Sequence, residues 1–286
     1  MLLPSSLPLA GIRDILVGIT EEGCGDETAA SLGYGLTLAR DAGAHLTVQS
    51  AALRFMATGL PLCGFADEII GAENGRLAAL ARHAAERVAG NAAGAGVTCT
   101  TEAPSLPYHE LIARLSARAR LHDLTVLDAE PSAAMPDRDL MEGVLFESGR
   151  PVIVVPPGWD TFRARRIVVA WDGGAQAARA ANDALPFLRG AEAVAVVCVD
   201  ETERLLSTVP GAEFAPHLAR HGVEVTVDDR PVEVDVAETL RRATKRFGAD
   251  MVVMGAYRHS LMREWFLGGA TQSLLAQSAV PLFLAH

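Results

Sequence analysis

At 286 residues the chain exceeds the roughly 100–200 residues of an ordinary domain, so two domains are expected. Half of the residues are hydrophobic, enough for two packed cores. The net charge of −10 and a pI near 5.3 argue against a surface that tracks nucleic acid or docks on an anionic membrane.

Lys245 is the single lysine, which removes a P-loop from consideration. No apolar run approaches the ~18 residues of a membrane span. Residues 1–10 lack a basic start and are broken by two prolines, a poor pattern for a signal peptide. Cys24, Cys63, Cys99 and Cys198 show no CxxC spacing and read as small hydrophobes in a reducing compartment. A cytoplasmic protein is the expectation.

In chain order, the run around Ile15–Ile19 reads as a buried strand, 27–41 as an Ala-rich helix, and His45–Ala51 as a second strand. Residues 71–90 and Tyr108–Leu121 follow with helical spacing of their apolar positions. Leu124–Leu127 and Val152–Val155 are again short apolar strands. The pattern then begins afresh. Ile167–Trp171 matches the first strand, Ala175–Leu188 the first helix, and Ala193–Val199 the second strand. Val234–Phe247 matches the third helix, with Val236, Leu240, Ala243 and Phe247 on one face. Met251–Met254 and Leu282–Ala285 close the copy, with Asp250 standing for Asp123 and Pro281 for Pro151.

Short apolar strands alternating with helices imply parallel sheets joined by right-handed crossovers. The fold class expected is α/β, two doubly wound five-stranded parallel-sheet (Rossmann-like) domains in tandem, spanning 1–156 and 157–286. Pro156-Pro157-Gly158 marks the boundary. Two very apolar edge strands, Pro151–Val155 and Pro281–Ala285, are expected to pair within the chain about a pseudo-twofold axis, making an intrachain pseudo-dimer. A monomer then suffices, and a further homodimer stays open.

In such a sheet, ligands bind beyond the carboxyl ends of the strands where strand order reverses. In the second half that places Asp172-Gly173-Gly174 and the segment from Gly255 to Gly269 at the mouth. Glycines let main-chain amides approach an anion, and Gly268-Gly269 precede a helical stretch over Ala270–Gln277 whose free donors would face the cleft. Thr271 adds a hydroxyl in its first turn. The same glycines could equally serve turn geometry alone, and Asp172 could simply cap the next helix. Arg258 either grips a phosphate or fills the pocket. The matching loop of the first half, 128–139, has no glycine and four acids, with Asp128 at the place of Gly255 and Thr20 at that of Asp172, so no nucleotide is expected there.

The segment Val252–Ser260, continuing through Phe266–Thr271 to Val280-Pro281, resembles the universal stress protein (UspA) family. Its nucleotide-binding members carry Gly-x2-Gly-x9-Gly-Ser/Thr at this point, within an adenine-nucleotide alpha hydrolase-like fold. The resemblance covers both halves in element order, and its motif only the second. Gly255 and Gly268 match two of its glycines, while Arg258 replaces the middle glycine and Gly269 the Ser/Thr. It further implies that Asp172 lies near the ribose and any divalent cation, that the Val199 backbone meets the adenine, and that Met254 precedes the first glycine as in binding members. Ala170, Trp171 and Ala270 flank these positions and complete the candidate site.

The resemblance implies a stress-response protein holding ATP or a related adenine nucleotide, with Mg²⁺, in the second half. A scaffold acting through protein partners and a slow metal-assisted ATP hydrolase are the alternatives. No nucleophile is readable, since Ser260 lacks a Gly-x-Ser-x-Gly setting. His217 and His221 read as a solvated helix face, and Tyr34, Tyr108 and Arg163–Arg166 as surface or linker features.

Overall fold

The computed structural model describes residues 9–21, 29–56, 65–129, 137–200, 210–256 and 269–286. Its first half runs β1 (Asp14–Glu21), α1 (Ala30–Ala42), β2 (His45–Leu53), α2 (Phe65–Gly94), β3 (Cys99–Glu102), the two-residue β4 (Ser105–Leu106), α3 (Tyr108–Ala119), β5 (Leu124–Asp128), α4 (Asp137–Glu147) and β6 (Val152–Val155). The second half runs β7 (Arg166–Trp171), α5 (Ala175–Asp183), α6 (Leu185–Gly190), β8 (Ala193–Asp200), α7 (Gly211–Arg220), β9 (Val225–Pro231), α8 (Val236–Phe247), β10 (Met251–Gly255), α9 (Gly269–Gln277) and β11 (Leu282–Ala285).

These strands form one sheet in the order β3-β2-β1-β5-β6-β11-β10-β7-β8-β9, with β4 beside β2. Along that order every junction is parallel but one: β6 and β11 meet antiparallel, Ile153 opposite Phe283. The expected pairing of the two apolar edges is therefore the centre of the molecule. Each half has the same strand order on either side of it, and strands of the two halves run in opposite senses.

Strand alternation sorts the core onto two faces. Helices α1, α5, α6 and α7 cover one, with Ile15, Val17, Ile167, Val169 and Phe283 beneath them. Helices α3, α4, α8 and α9 cover the other, over Leu16, Val168, Val252 and Leu284. Equivalent helices of both halves thus share a face, which places the pseudo-twofold axis perpendicular to the sheet.

The acids that mark the repeat have one job in both halves. Asp123 accepts from the backbone N–H of Arg13 (2.6 Å) and Asp14 (3.0 Å). Asp250 does the same for Arg165 (3.1 Å) and Arg166 (3.0 Å). Each carboxylate satisfies donors at the start of its half's first strand and so ties β1 to β5 and β7 to β10.

Two elements differ from the sequence expectation. The stretch 175–188 is not one helix: α5 ends at Asp183, and Pro186, which lacks an N–H, lies in the first turn of α6. Tyr34, expected at the surface, is fully buried. The segment between the halves covers it, because Phe162 packs edge-on against its ring at 5.5 Å and the Phe162 N–H donates to the Thr37 hydroxyl at 2.8 Å. Phe162 continues through Phe187 to Phe283, an aromatic series that joins α1, α6 and β11. Trp159 anchors the same segment by donating from Nε1 to the Ala279 carbonyl at 2.9 Å. Burial raises the Tyr34 phenol pKa well above its ordinary value, so it stays neutral.

This strap needs a glycine beneath it. A Cβ on Gly33 of α1 would run into the Asp160 carbonyl oxygen, so close approach rather than a special φ fixes the residue. Gly33→Ala is expected to lower stability by about 1–3 kcal/mol through overpacking, seen as a lower urea midpoint at unchanged slope.

Candidate functional site

The carboxyl ends of β10, β7 and β8 build the floor of the second-half cleft. Met254 is the register partner of Ala170, and Ala170 of Val197, with Val199 two residues further along β8. Met254 and Val197 are buried, and Ala170 and Val199 half-buried, on the face covered by α8 and α9. Three of the predicted positions, Ala170, Val199 and Met254, are thereby brought onto one apolar shelf. Thr271 is buried in the first turn of α9, which Gly269 and Ala270 open. Arg258 and Gly268 lie outside the described residues.

Trp171 does not face this shelf. Alternation turns its indole to the other side of the sheet, where it stacks on Phe214 of α7 with centroids 3.8 Å apart and planes at 6°. Phe214 in turn lies against His217, whose ring meets His221. The tryptophan is part of the packing under α7.

Asp172 is exposed just past β7, and its Oδ1 accepts from the Gly174 N–H at 2.8 Å. Gly173 between them has φ 70°, the left-handed region that favours glycine. The turn delivers the chain to α5, whose first turn has neither a side-chain cap nor an acid. The positive end of this helix is left to its main-chain donors.

Gly255 has a structural duty of its own. A Cβ there would lie 2.5 Å from the Ala177 nitrogen and 2.5 Å from the Gln176 carbonyl carbon, so only glycine lets α5 settle onto β10. The equivalent residue of the first half, Asp128, fills the corresponding space with a carboxylate. Its Oδ1 accepts from the Ser31 N–H at 2.8 Å and its Oδ2 from the Ser31 hydroxyl at 2.7 Å, in the first turn of α1. Asp139, in the first turn of α4, accepts from the Tyr108 hydroxyl at 3.2 Å. Two helix starts beside the first-half cleft therefore carry an acid of the chain itself.

Sequence reasoning missed the neighbours of the shelf on β9. Val225–Pro231 contains two acids and an arginine and has no apolar run, so its composition does not announce a strand. It pairs with β8 all the same, setting Asp228 beside Val197, Asp229 beside Cys198 and Arg230 beside Val199. Cys198 lies on the α7 side under Gly211, and burial, reinforced by Asp229, pushes its thiol up to about 12. On α8, Arg241 and Arg242 bond Glu238 and hold its carboxyl below the usual carboxylate range. Arg241 also reaches the Ser273 hydroxyl at 3.0 Å and so ties α8 to α9.

The sequence profile of the universal stress protein family matches residues 163–286, which takes in the shelf, the Asp172 turn and Gly255. Residues 163–286 belong to the universal stress protein family. No curated protein matches the chain. Among solved structures, a universal stress protein from Archaeoglobus fulgidus DSM 4304 is 16% identical and superposes with a TM-score of 0.65 over 95% of this chain and 97% of its own. A functionally unknown protein from Pseudomonas aeruginosa PAO1 is also 16% identical, with a TM-score of 0.54 over 98% of this chain and 94% of its own. At such identities the likeness establishes the fold. Its extent over the whole chain matches the tandem arrangement of two universal stress protein-like halves.

Two outcomes follow for this domain. Gly255→Ala is expected to cost about 1–3 kcal/mol of stability in ligand-free protein, read from urea unfolding, because the clash is with the α5 backbone. Cys198 is expected to resist iodoacetamide at pH 8, with labelling accelerating as pH rises towards about 12, followed by peptide mass spectrometry.

Proposed function

We propose that the second half binds an adenine nucleotide, ATP or a relative, as a stress-related regulatory protein of its family. The observation that carries this reading is the contrast between the halves. Asp128 accepts from the Ser31 N–H and hydroxyl in the first turn of α1, whereas at α5, its counterpart, Gly255 stands in that place and Asp172 accepts from the Gly174 N–H ahead of the helix. An anion at the second mouth would meet the donors of α5 and α9 with no acid in the first turn of either. Ala170, Met254 and Val199 supply an apolar surface for a ribose and base, as cofactor clefts generally require.

Asp172 offers a hard oxygen donor of the kind Mg²⁺ takes, and the cation would accompany the phosphates there. Among the described residues the shelf itself is apolar, and binding is the activity put forward.

A second reading, a ligand-free scaffold acting through partner proteins, draws on Gly255, whose packing duty alone would preserve that glycine. Isothermal titration with ATP, ADP and AMP, with and without Mg²⁺, separates the two. Binding of at least one nucleotide, weakened about tenfold (roughly 1.4 kcal/mol) by Asp172→Ala, is expected. Absence of heat for all three at high concentration would select the scaffold.

A further inference from the structure

We infer that Asp228 and Arg230 form a purine-reading pair at the base end of the second-half cleft, giving the site its choice of nucleotide. The inference rests on the proposed reading that a nucleotide lies across the shelf with its base at Val199.

The placement follows from register. Asp228 sits beside Val197 and Arg230 beside Val199, and paired residues of neighbouring strands share a face. Both side chains therefore stand on the α8 side, in line with Met254, Ala170 and Val199. From β10 to β9 is three strand spacings, roughly 14 Å, a reach that an extended nucleotide with its phosphates covers.

The pair's geometry leaves groups to spare. Arg230 Nε and one terminal nitrogen both donate to the same oxygen, Asp228 Oδ2, at 2.8 and 2.6 Å. Among the described residues, Asp228 Oδ1 and the other terminal nitrogen of Arg230 make no hydrogen bond. The Arg230 side chain is 19% exposed and that of Asp228 37%, so the arginine lies along the sheet face rather than waving in solvent. One fixed acceptor beside one fixed donor matches the edge of a purine, whose amino or ring N–H donates while a ring nitrogen or carbonyl accepts. A pyrimidine on the same ribose lacks the fused ring that extends to β9.

The first half shows the alternative use of the same position. Glu102 on β3 stands beside Gln49 as Asp228 stands beside Val197. Its partners are Arg114 and Arg118, which descend from α3 across the face of the sheet. In the second half the acid finds its arginine two residues along its own strand rather than on α8.

The test compares full-length wild type with Asp228→Asn, an isosteric change, and Arg230→Ala, after thermal unfolding shows that each is folded. Affinities for ATP, GTP, UTP and inorganic tripolyphosphate are measured by titration. The expected result is a purine preference over UTP in wild type that falls about tenfold in both variants, with tripolyphosphate binding unchanged. A preference retained in both variants would reduce the pair to an edge-strand ion pair while leaving the nucleotide site intact. Equal losses for ATP and tripolyphosphate would also overturn it, showing an effect on the whole cleft. Failure of wild type to bind any nucleotide would remove the pair and the proposed function together.

Discussion

The antiparallel junction of β6 and β11 governs everything else in this molecule. Val152–Val155 and Leu282–Ala285 are buried throughout, and each would be an exposed apolar edge if its half stood alone. Such an edge is a template for pairing with another chain. Joining them inside one chain removes that exposure and fixes the relation of the halves. Because the strands of the two halves run in opposite senses, the two clefts open at opposite ends of the sheet and do not compete for space. One can be closed without touching the other.

The two clefts differ at the end of the fourth strand, where one half has Gly255 and the other Asp128. Replacement of a glycine by an acid at the end of the fourth strand has two consequences, which the comparison of Gly255 with Asp128 separates. At Gly255 the helix comes down onto the strand. At Asp128 a carboxylate takes the intervening space and bonds Ser31 in the helix's first turn. A carboxylate so placed favours the helix dipole and the stability of its own half, while presenting negative charge where a phosphate would lie. Local stability and anion binding draw on the same donors, and the first half has committed them to itself.

The repeat, the fold class and the central pairing were legible in the sequence because each rests on local pattern. Buried parallel strands read as apolar runs, and Asp123 and Asp250 recur because both serve the start of a first strand. What could not be read depends on contacts between distant segments. Tyr34 looks like a surface tyrosine in an Ala-rich helix until the linker, more than a hundred residues away in sequence, lies across it. Gly255 resembles a phosphate-binding glycine, yet its neighbours in space are α5 backbone atoms. Trp171 adjoins Asp172 in sequence and lies on the opposite side of the sheet from Ala170. The edge strand β9 went unread because none of its residues is buried and three of them are charged.

The same edge strand shows why the second cleft is the more interesting. Edge strands commonly carry charge to discourage pairing with other chains, and Asp228, Asp229 and Arg230 satisfy that need wherever they point. Alternation, though, sends Asp229 to the α7 side beside Cys198 and sends Asp228 with Arg230 to the α8 side beside the shelf. Protection of the edge alone would not require that the Arg230 side chain be largely buried, nor that two of its nitrogens converge on one oxygen. Burying a cation is costly unless its partner is fixed, and the cost buys a defined orientation. A defined donor and acceptor beside Val199 is what distinguishes a surface able to discriminate among ligands from one that merely resists aggregation.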